Sequence, residues 1–420
     1  MYNNKMARRR SFIERTNKKK RIRSRSRIRS RNRNRTKNRT KRINQKGGVK
    51  ILATLAGHSS SVHSVAFHPR LPILATGSLD RTVRLWLLSC DNSSATNVAT
   101  LEGHSGTVLS VAFHPRLPIL ATGSLDRTVK LWRLSLVYSS ATNIATLAGH
   151  SDGVLSVAFH PTAPLLATGS LDRTVKLWSF SDDCLFPPEI QVSKKHPPAL
   201  VATLEGHDSH VTSVAFHPTA PLLATGSSDR TVRLWLLSCD YLSATSEAIP
   251  DKLSATCEAI SDNLSATSVA TLAGHSHAVN SVAFHPTALL LASSSGDSTV
   301  RLWLLSSDYS SATSVATLEG HIGSVNSVAF HPTAPLLATG GTDKTVRLWR
   351  LSSDYLSATS VATLEGHNHF VTSVAFHPTA PLLATGSSDK TVRLWNYDPP
   401  PAPEPTPSGP LNASCRLGPG

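Results

Sequence analysis

The dipeptide Gly-His recurs seven times along the 420-residue chain, at His58, His104, His150, His207, His275, His321 and His367. Each is followed 28 residues later by one of the chain's seven tryptophans: Trp86, Trp132, Trp178, Trp235, Trp303, Trp349 and Trp395. Six residues before every tryptophan stands an aspartate, at Asp80, Asp126, Asp172, Asp229, Asp297, Asp343 and Asp389. Between one tryptophan and the next histidine the spacing is 18 residues four times, 29 once and 40 once. Constant units with variable joints are expected of folded modules connected by loops, each module burying its apolar face against its neighbours.

The unit reads as β-structure. "VHSVAFHP" is a short alternating run ended by His68-Pro69, and "PILATGSLD" leads into a polar turn at Asp80. "TVRLWLL" alternates again, and "NVATLEGH" gives a fourth run that stops at glycine. All four are rich in Val, Thr, Leu and aromatic residues and are bounded by Gly, Pro, Ser or Asp. No segment keeps a 3.6-residue period long enough for a helix. Four strands in a repeat of 46 residues are the signature of a propeller blade, so the fold class expected is all-β, a seven-bladed β-propeller of four-stranded antiparallel blades.

The Gly-His, Asp, Trp order resembles the WD-repeat family of β-propellers over roughly residues 49–398. One departure is plain: the residue after each tryptophan is Leu, Arg, Ser, Leu, Leu, Arg or Asn, never Asp. The resemblance implies that "VKILATL" (Val49–Leu55) completes the seventh unit, which stops one strand short at "TVRLWNYD". Such a clasp removes a free sheet edge. It also implies a hydrogen-bonded tetrad in every blade. The first would use His58, Asp80, Thr76 and Trp86, with the hydroxyl supplied in the others by Thr122, Thr168, Thr225, Ser293, Thr339 and Thr385. The chemistry is sound, because a buried indole N–H, hydroxyl and imidazole all need partners, and a carboxylate fixes the imidazole tautomer. Ser78 and Ser64 compete for the hydroxyl role.

His, Asp and Ser/Thr also make up a hydrolase triad. A catalytic site is singular, however, and this set is copied seven times without a nucleophile elbow. The 19 histidines invite a metal reading, but seven lie in Gly-His, seven in Phe-His-Pro turns, and none has finger-type ligand spacing. Five scattered cysteines without a CxxC exclude a disulfide framework and suit a reducing compartment. No catalytic residue, cofactor or metal is expected.

The formal charge of +16 is unevenly spread. Residues 1–48 hold 21 Lys/Arg and a single acid, Glu14, so the other 372 residues carry a net −4. Between Arg21 and Arg35 every second residue is arginine: Arg21, Arg23, Arg25, Arg27, Arg29, Arg31, Arg33 and Arg35. Charge this dense cannot pack, so residues 1–48 are expected to be a disordered tail. Three readings stand for it: a solvated tail, phosphate contact with RNA or another polyanion (or a nuclear-import signal), and an organellar presequence. The run has no aromatic residues, so nucleic-acid binding would be poor in sequence specificity. Ser24, Ser26 and Ser30 are candidate phosphorylation sites. The long joints follow Trp178 and Trp235; the second contains a local duplication, "LSAT" beginning at Leu242, Leu253 and Leu264. Both are expected to be surface loops. Residues 399–420 are Pro-rich and expected to be unfolded. No stretch approaches the length of a membrane helix.

The functional expectation is a non-enzymatic protein–protein interaction scaffold or adaptor, intracellular, nuclear or cytoplasmic with the nucleus favoured, and monomeric outside its complex. The alternative is an RNA- or ribonucleoprotein-associated factor anchored by the tail. A partner surface is expected on the top face of blades one to three. There Leu79, Leu125 and Leu171 precede the turn aspartate, and His63, Leu109 and Leu155 lie in the first strand, where later blades carry mostly small polar groups.

Overall fold

The computed structural model describes residues 49–135, 138–180, 198–238 and 264–397. Twenty-eight strands and no helix are found among them, grouped in seven four-stranded sheets. In the first blade β2 (Val62–Phe67), β3 (Ile73–Ser78), β4 (Val83–Leu88) and β5 (Ala95–Leu101) pair in chain order, all antiparallel. Five more blades repeat this order. The seventh contains β26 (Val371–Phe376), β27 (Leu382–Ser387) and β28 (Thr391–Asn396), and its fourth strand is β1 (Lys50–Ala56) from the other end of the chain. Ile51 lies opposite Trp395 and Leu55 opposite Val392. The two ends of the propeller are thus held in one sheet, and β28 has no free edge.

Burial explains why the strands stack as they do. The second strand of every blade is buried along its whole length, as in "ILATGS" of β3, whereas β5 is exposed at Thr96, Asn97 and Thr100. The apolar cores lie between blades. Ile73, Val83 and Leu85 of the first blade pack with Val108, Phe113, Leu120 and Trp132 of the second. At the closure Leu382, Val392 and Leu394 pack with Val62, Phe67, Leu74 and Trp86. A β-carbon on Gly77 would lie 2.8 Å from Val108 Cγ1, so only glycine lets the second strand meet the next blade this closely.

Two rings of contacts run from blade to blade. The Val111 N–H donates to Ser64 Oγ at 3.1 Å, and the same bond recurs to Ser110, Ser156, Ser213, Ser281, Ser327 and Ser373. The last, from Val65 to Ser373, closes the circle. At the opposite rim each Phe-His-Pro histidine meets a phenylalanine of the next blade, from His68 on Phe113 round to His377 on Phe67, with ring centroids 4.9–5.1 Å apart. The alternating run thus encodes a contact that the repeat alone does not reveal: its serine serves the neighbouring blade.

Candidate functional site

The Gly-His segment and the turn between the second and third strands lie at one end of the ring, the upper rim, because the strands run antiparallel from there. In the first blade Ser78, Leu79, Asp80, Arg81 and Thr82 make a tight turn with Arg81 in the left-handed region at φ 70°. The turn aims Asp80 inward. His58 Nδ1–H donates to Asp80 Oδ2 at 2.8 Å, the Thr76 hydroxyl meets His58 Nε2 at 2.7 Å, and Trp86 Nε1–H donates to Thr76 Oγ1 at 3.0 Å. This set fixes the tautomer: the imidazole carries its proton on Nδ1 and accepts at Nε2. Asp80 also accepts the Ser59 N–H, the Thr82 N–H and the Thr82 hydroxyl, so both oxygens are fully engaged.

The same four-residue chain is assembled in all seven blades. Histidine to aspartate is 2.7–2.9 Å, histidine to hydroxyl 2.7–2.8 Å and indole to hydroxyl 2.8–3.0 Å, with Ser293 as the hydroxyl in the fifth. Neither competitor for the hydroxyl joins it. Ser78 Oγ donates to the Ser60 carbonyl and accepts the Asp80 N–H, and Ser64 belongs to the inter-blade ring. Burial lowers the pKa of His58 against the opposing pull of Asp80, with Arg84 adding to the decrease. Burial pushes Asp80 upward, but hydrogen bonds from Thr82 and His58 outweigh it and hold the carboxyl at about 2. As chemistry the arrangement is closed: the hydroxyl is fully buried and its proton and one lone pair are committed, so it offers no nucleophile to a substrate. Among the described residues no group of three or more His, Cys, Asp or Glu is placed to hold a metal ion.

Two positions that vary between blades lie on or beside the upper rim. Leu79 and Leu125 are 45% and 42% exposed, and Leu171 is half-buried. His63, Leu109 and Leu155 are half-buried at the β-bulge of the innermost strand. At that bulge in blades four to seven Thr212, Asn280, Asn326 and Thr372 each donate to a main-chain carbonyl of the next blade (Val279, Val325, Val371 and Val62), so the position joins blades as well as facing the channel end. Two exposed apolar residues escape a reading of the repeat: Ile322, directly after a Gly-His, at 83%, and Phe370 at 42%. Their signal is a single apolar residue at a loop position that is polar or small in the other blades. The phosphate-binding candidates Arg21 to Arg35 lie outside the described residues, as do most of the two long joints, which connect the third and fourth strands of their blades. No helix among the described residues is long and apolar enough to cross a membrane.

Comparison with known proteins places this geometry among relatives. The family model described as WD domain, G-beta repeat matches seven times, at residues 49–86, 95–133, 141–179, 198–235, 266–303, 312–350 and 358–396. The chain is similar to the nuclear distribution protein nudF of Aspergillus flavus, 30% identical over 26% of this chain and 28% of that protein. It is also similar to the probable cytosolic iron-sulfur protein assembly protein 1 of Mycosarcoma maydis, 34% identical over 25% of this chain and 21% of that protein. The nuclear distribution protein PAC1 of Gibberella zeae is 31% identical over 25% of this chain and 29% of its own length. The matched part thus spans less than a third of each of these relatives.

Proposed function

The chain belongs to the WD-repeat family of β-propellers, and from that membership we propose that it is a non-enzymatic scaffold that binds other proteins through the upper rim of its ring. One observation carries the reading: seven blades share an interior that is chemically inert, while exposed and half-buried positions of the upper rim differ from blade to blade. A surface that varies on an invariant frame is suited to recognition and not to a reaction. The contact residues proposed are Leu79, Leu125 and Leu171 at the turns, with His63, Leu109 and Leu155 at the bulges beside them. The relatives carry names of nuclear distribution and iron-sulfur protein assembly, functions of assembled systems, which favours an adaptor here. Residues 1–48 and 399–420 are proposed to be unfolded tails, with the propeller between them, and the basic tail is the reason to place the protein in the nucleus as well as the cytoplasm. The test is affinity purification of the full chain followed by mass spectrometry. Stoichiometric partners lost on Leu79→Ser and Leu125→Ser support the scaffold; recovery of the chain alone, as a monomer, counts against it.

A second reading rests on the 21 Lys/Arg of residues 1–48: the tail would hold RNA while the propeller holds protein. RNA affinity that falls steeply with salt and vanishes without residues 1–48 would support it. Binding that survives the truncation would remove the tail as anchor.

A further inference from the structure

We propose that the upper rim over blades six, seven, one and two recognises an acidic protein segment interspersed with aliphatic or aromatic side chains, a proposal that rests on the scaffold reading above. The turn sequence Asp-Arg or Asp-Lys looks neutral, but the fold separates its two charges. Each aspartate is turned inward and saturated, as Asp80 is by His58, Ser59 and Thr82, with a side chain only 8% exposed. The next residue, held in the left-handed region, is pushed out to solvent. Each turn therefore shows its cation and hides its aspartate.

On four consecutive blades that cation has an exposed apolar neighbour. Arg81 and Leu79 share one turn, as do Arg127 and Leu125. Phe370 accepts the Ser388 N–H through its carbonyl at 2.9 Å, which sets it beside the turn of Lys390. The Ile322 N–H donates to Asp343 Oδ2 at 3.0 Å, which sets it beside Lys344. The seam between blades seven and one is continuous, since Thr372 donates to the Val62 carbonyl at 2.6 Å across it. Elsewhere the pairing lapses: Leu171 is half-buried, and the fifth blade has Gly296 and Ser298 in place of leucine and cation. Exposed glutamates just past the fourth strand temper the charge of blades one and six (Glu102 beside the turn of Arg81, Glu365 beside that of Lys344), whereas blades seven and two have Ala56 and Ala148 there, paired with Thr391 and Thr128. The most positive points of the arc are thus Arg127, flanked by Leu125, and Lys390, beside Phe370.

Alternating cation and apolar side chain complement a chain that alternates acid and apolar side chain. Nucleic acid fits less well, because leucine and isoleucine give no stacking platform and the exposed rings of the arc are confined to one place, Phe370 with His369 against it. The test is fluorescence anisotropy on the full chain with a labelled peptide alternating Asp with Leu and Phe. A second probe carries Ser at the apolar positions, and a third is labelled oligouridylate. Residues 1–48 are common to every variant, so differences between variants report the rim. Arg81→Glu with Lys390→Glu should weaken the first probe at least tenfold, and Arg230→Glu, on the far side, less than twofold. The Ser probe should bind the unmodified chain at least tenfold more weakly than the first. Equal affinity for the two peptides, an equal loss from Arg230→Glu, or oligouridylate alone responding to the double reversal would each overturn the proposal. An unchanged unfolding midpoint for each variant excludes loss of fold as the cause. A co-purified partner whose binding ignores the double reversal would leave the scaffold standing and remove this surface.

Discussion

Each tetrad hydroxyl satisfies two buried groups at once, donating to an imidazole and accepting from an indole, so removing it should cost more than one bond. In Thr168→Val, His150 Nε2 and Trp178 Nε1 both lose their partner. At about 1–3 kcal/mol for each stranded buried group, the variant should lose roughly 2–6 kcal/mol in urea unfolding. A loss under 0.5 kcal/mol would mean the pair finds other partners. The fifth blade offers the opposite experiment. Where Gly77 and its counterparts let the next blade approach, this blade has Ser294, fully buried with an unpaired hydroxyl. The inter-blade bond there, Val328 N–H to Ser281 Oγ, is 3.4 Å, against 3.1 Å at the other six junctions. Ser294→Gly should therefore stabilise the protein by about 1 kcal/mol, the unpaired hydroxyl outweighing the entropy of glycine. A lower midpoint would show that the hydroxyl is satisfied. The tetrad partners are what the family resemblance implies; spacing alone leaves Ser78 and Ser64 open as the hydroxyl. The role of Ser64 was not legible, because a blade read in isolation contains no neighbour for it to bond.

At the scale of elements, strand number and order followed from alternation and punctuation, since glycine, proline and aspartate mark every turn. The departures sit where one residue deviates within one blade. Ile322 and Phe370 change no period and so carry no structural signal, yet they are among the most exposed apolar groups on the rim. The clasp is the element with the clearest test. β1 supplies Leu55, buried against the first blade's core, and covers the edge of β28. Removing residues 1–56 should leave six blades intact and expose both an apolar seam and an unpaired strand edge. Size-exclusion chromatography should then show oligomers or aggregate, whereas removal of residues 1–48 alone should leave the elution of the folded body unaltered. A monomer after the longer truncation would mean that β1 contributes nothing to closure.

For the whole molecule, composition alone hides one point: within a body of net charge −4 the turn cations stand uncovered, because the seven aspartates beside them are consumed inside the blades. The histidines have a collective consequence too. Burial lowers the pKa of all seven tetrad histidines and all seven Phe-His-Pro histidines, the latter reaching about 4 at His68, His114 and His160. In the Phe-His-Pro turns the lone pair on Nδ1 accepts two main-chain N–H groups, as at His68 from Arg70 and Leu71, so protonation breaks both. With folded pKa values below the unfolded 6.5, the unfolded chain binds more protons, and stability is complete above pH 6.5 and lost as pH falls towards 4. The unfolding midpoint should be flat above pH 7 and fall steeply between pH 6.5 and 4.5; a midpoint unchanged down to pH 5 would contradict it.

The central claim is that the chain closes on itself, with its first described strand completing its last sheet. Hydrogen exchange of the full-length protein, followed by mass spectrometry of peptides covering Lys50–Ala56 and Thr391–Asn396, tests this directly. Closure predicts slow exchange for nearly all of Thr391–Asn396, which is bonded on both sides, and for about half of the amides of Lys50–Ala56, those that face β28 from the outer strand. Exchange of Lys50–Ala56 at the rate of an unstructured peptide, while β26 to β28 remain protected, would contradict it.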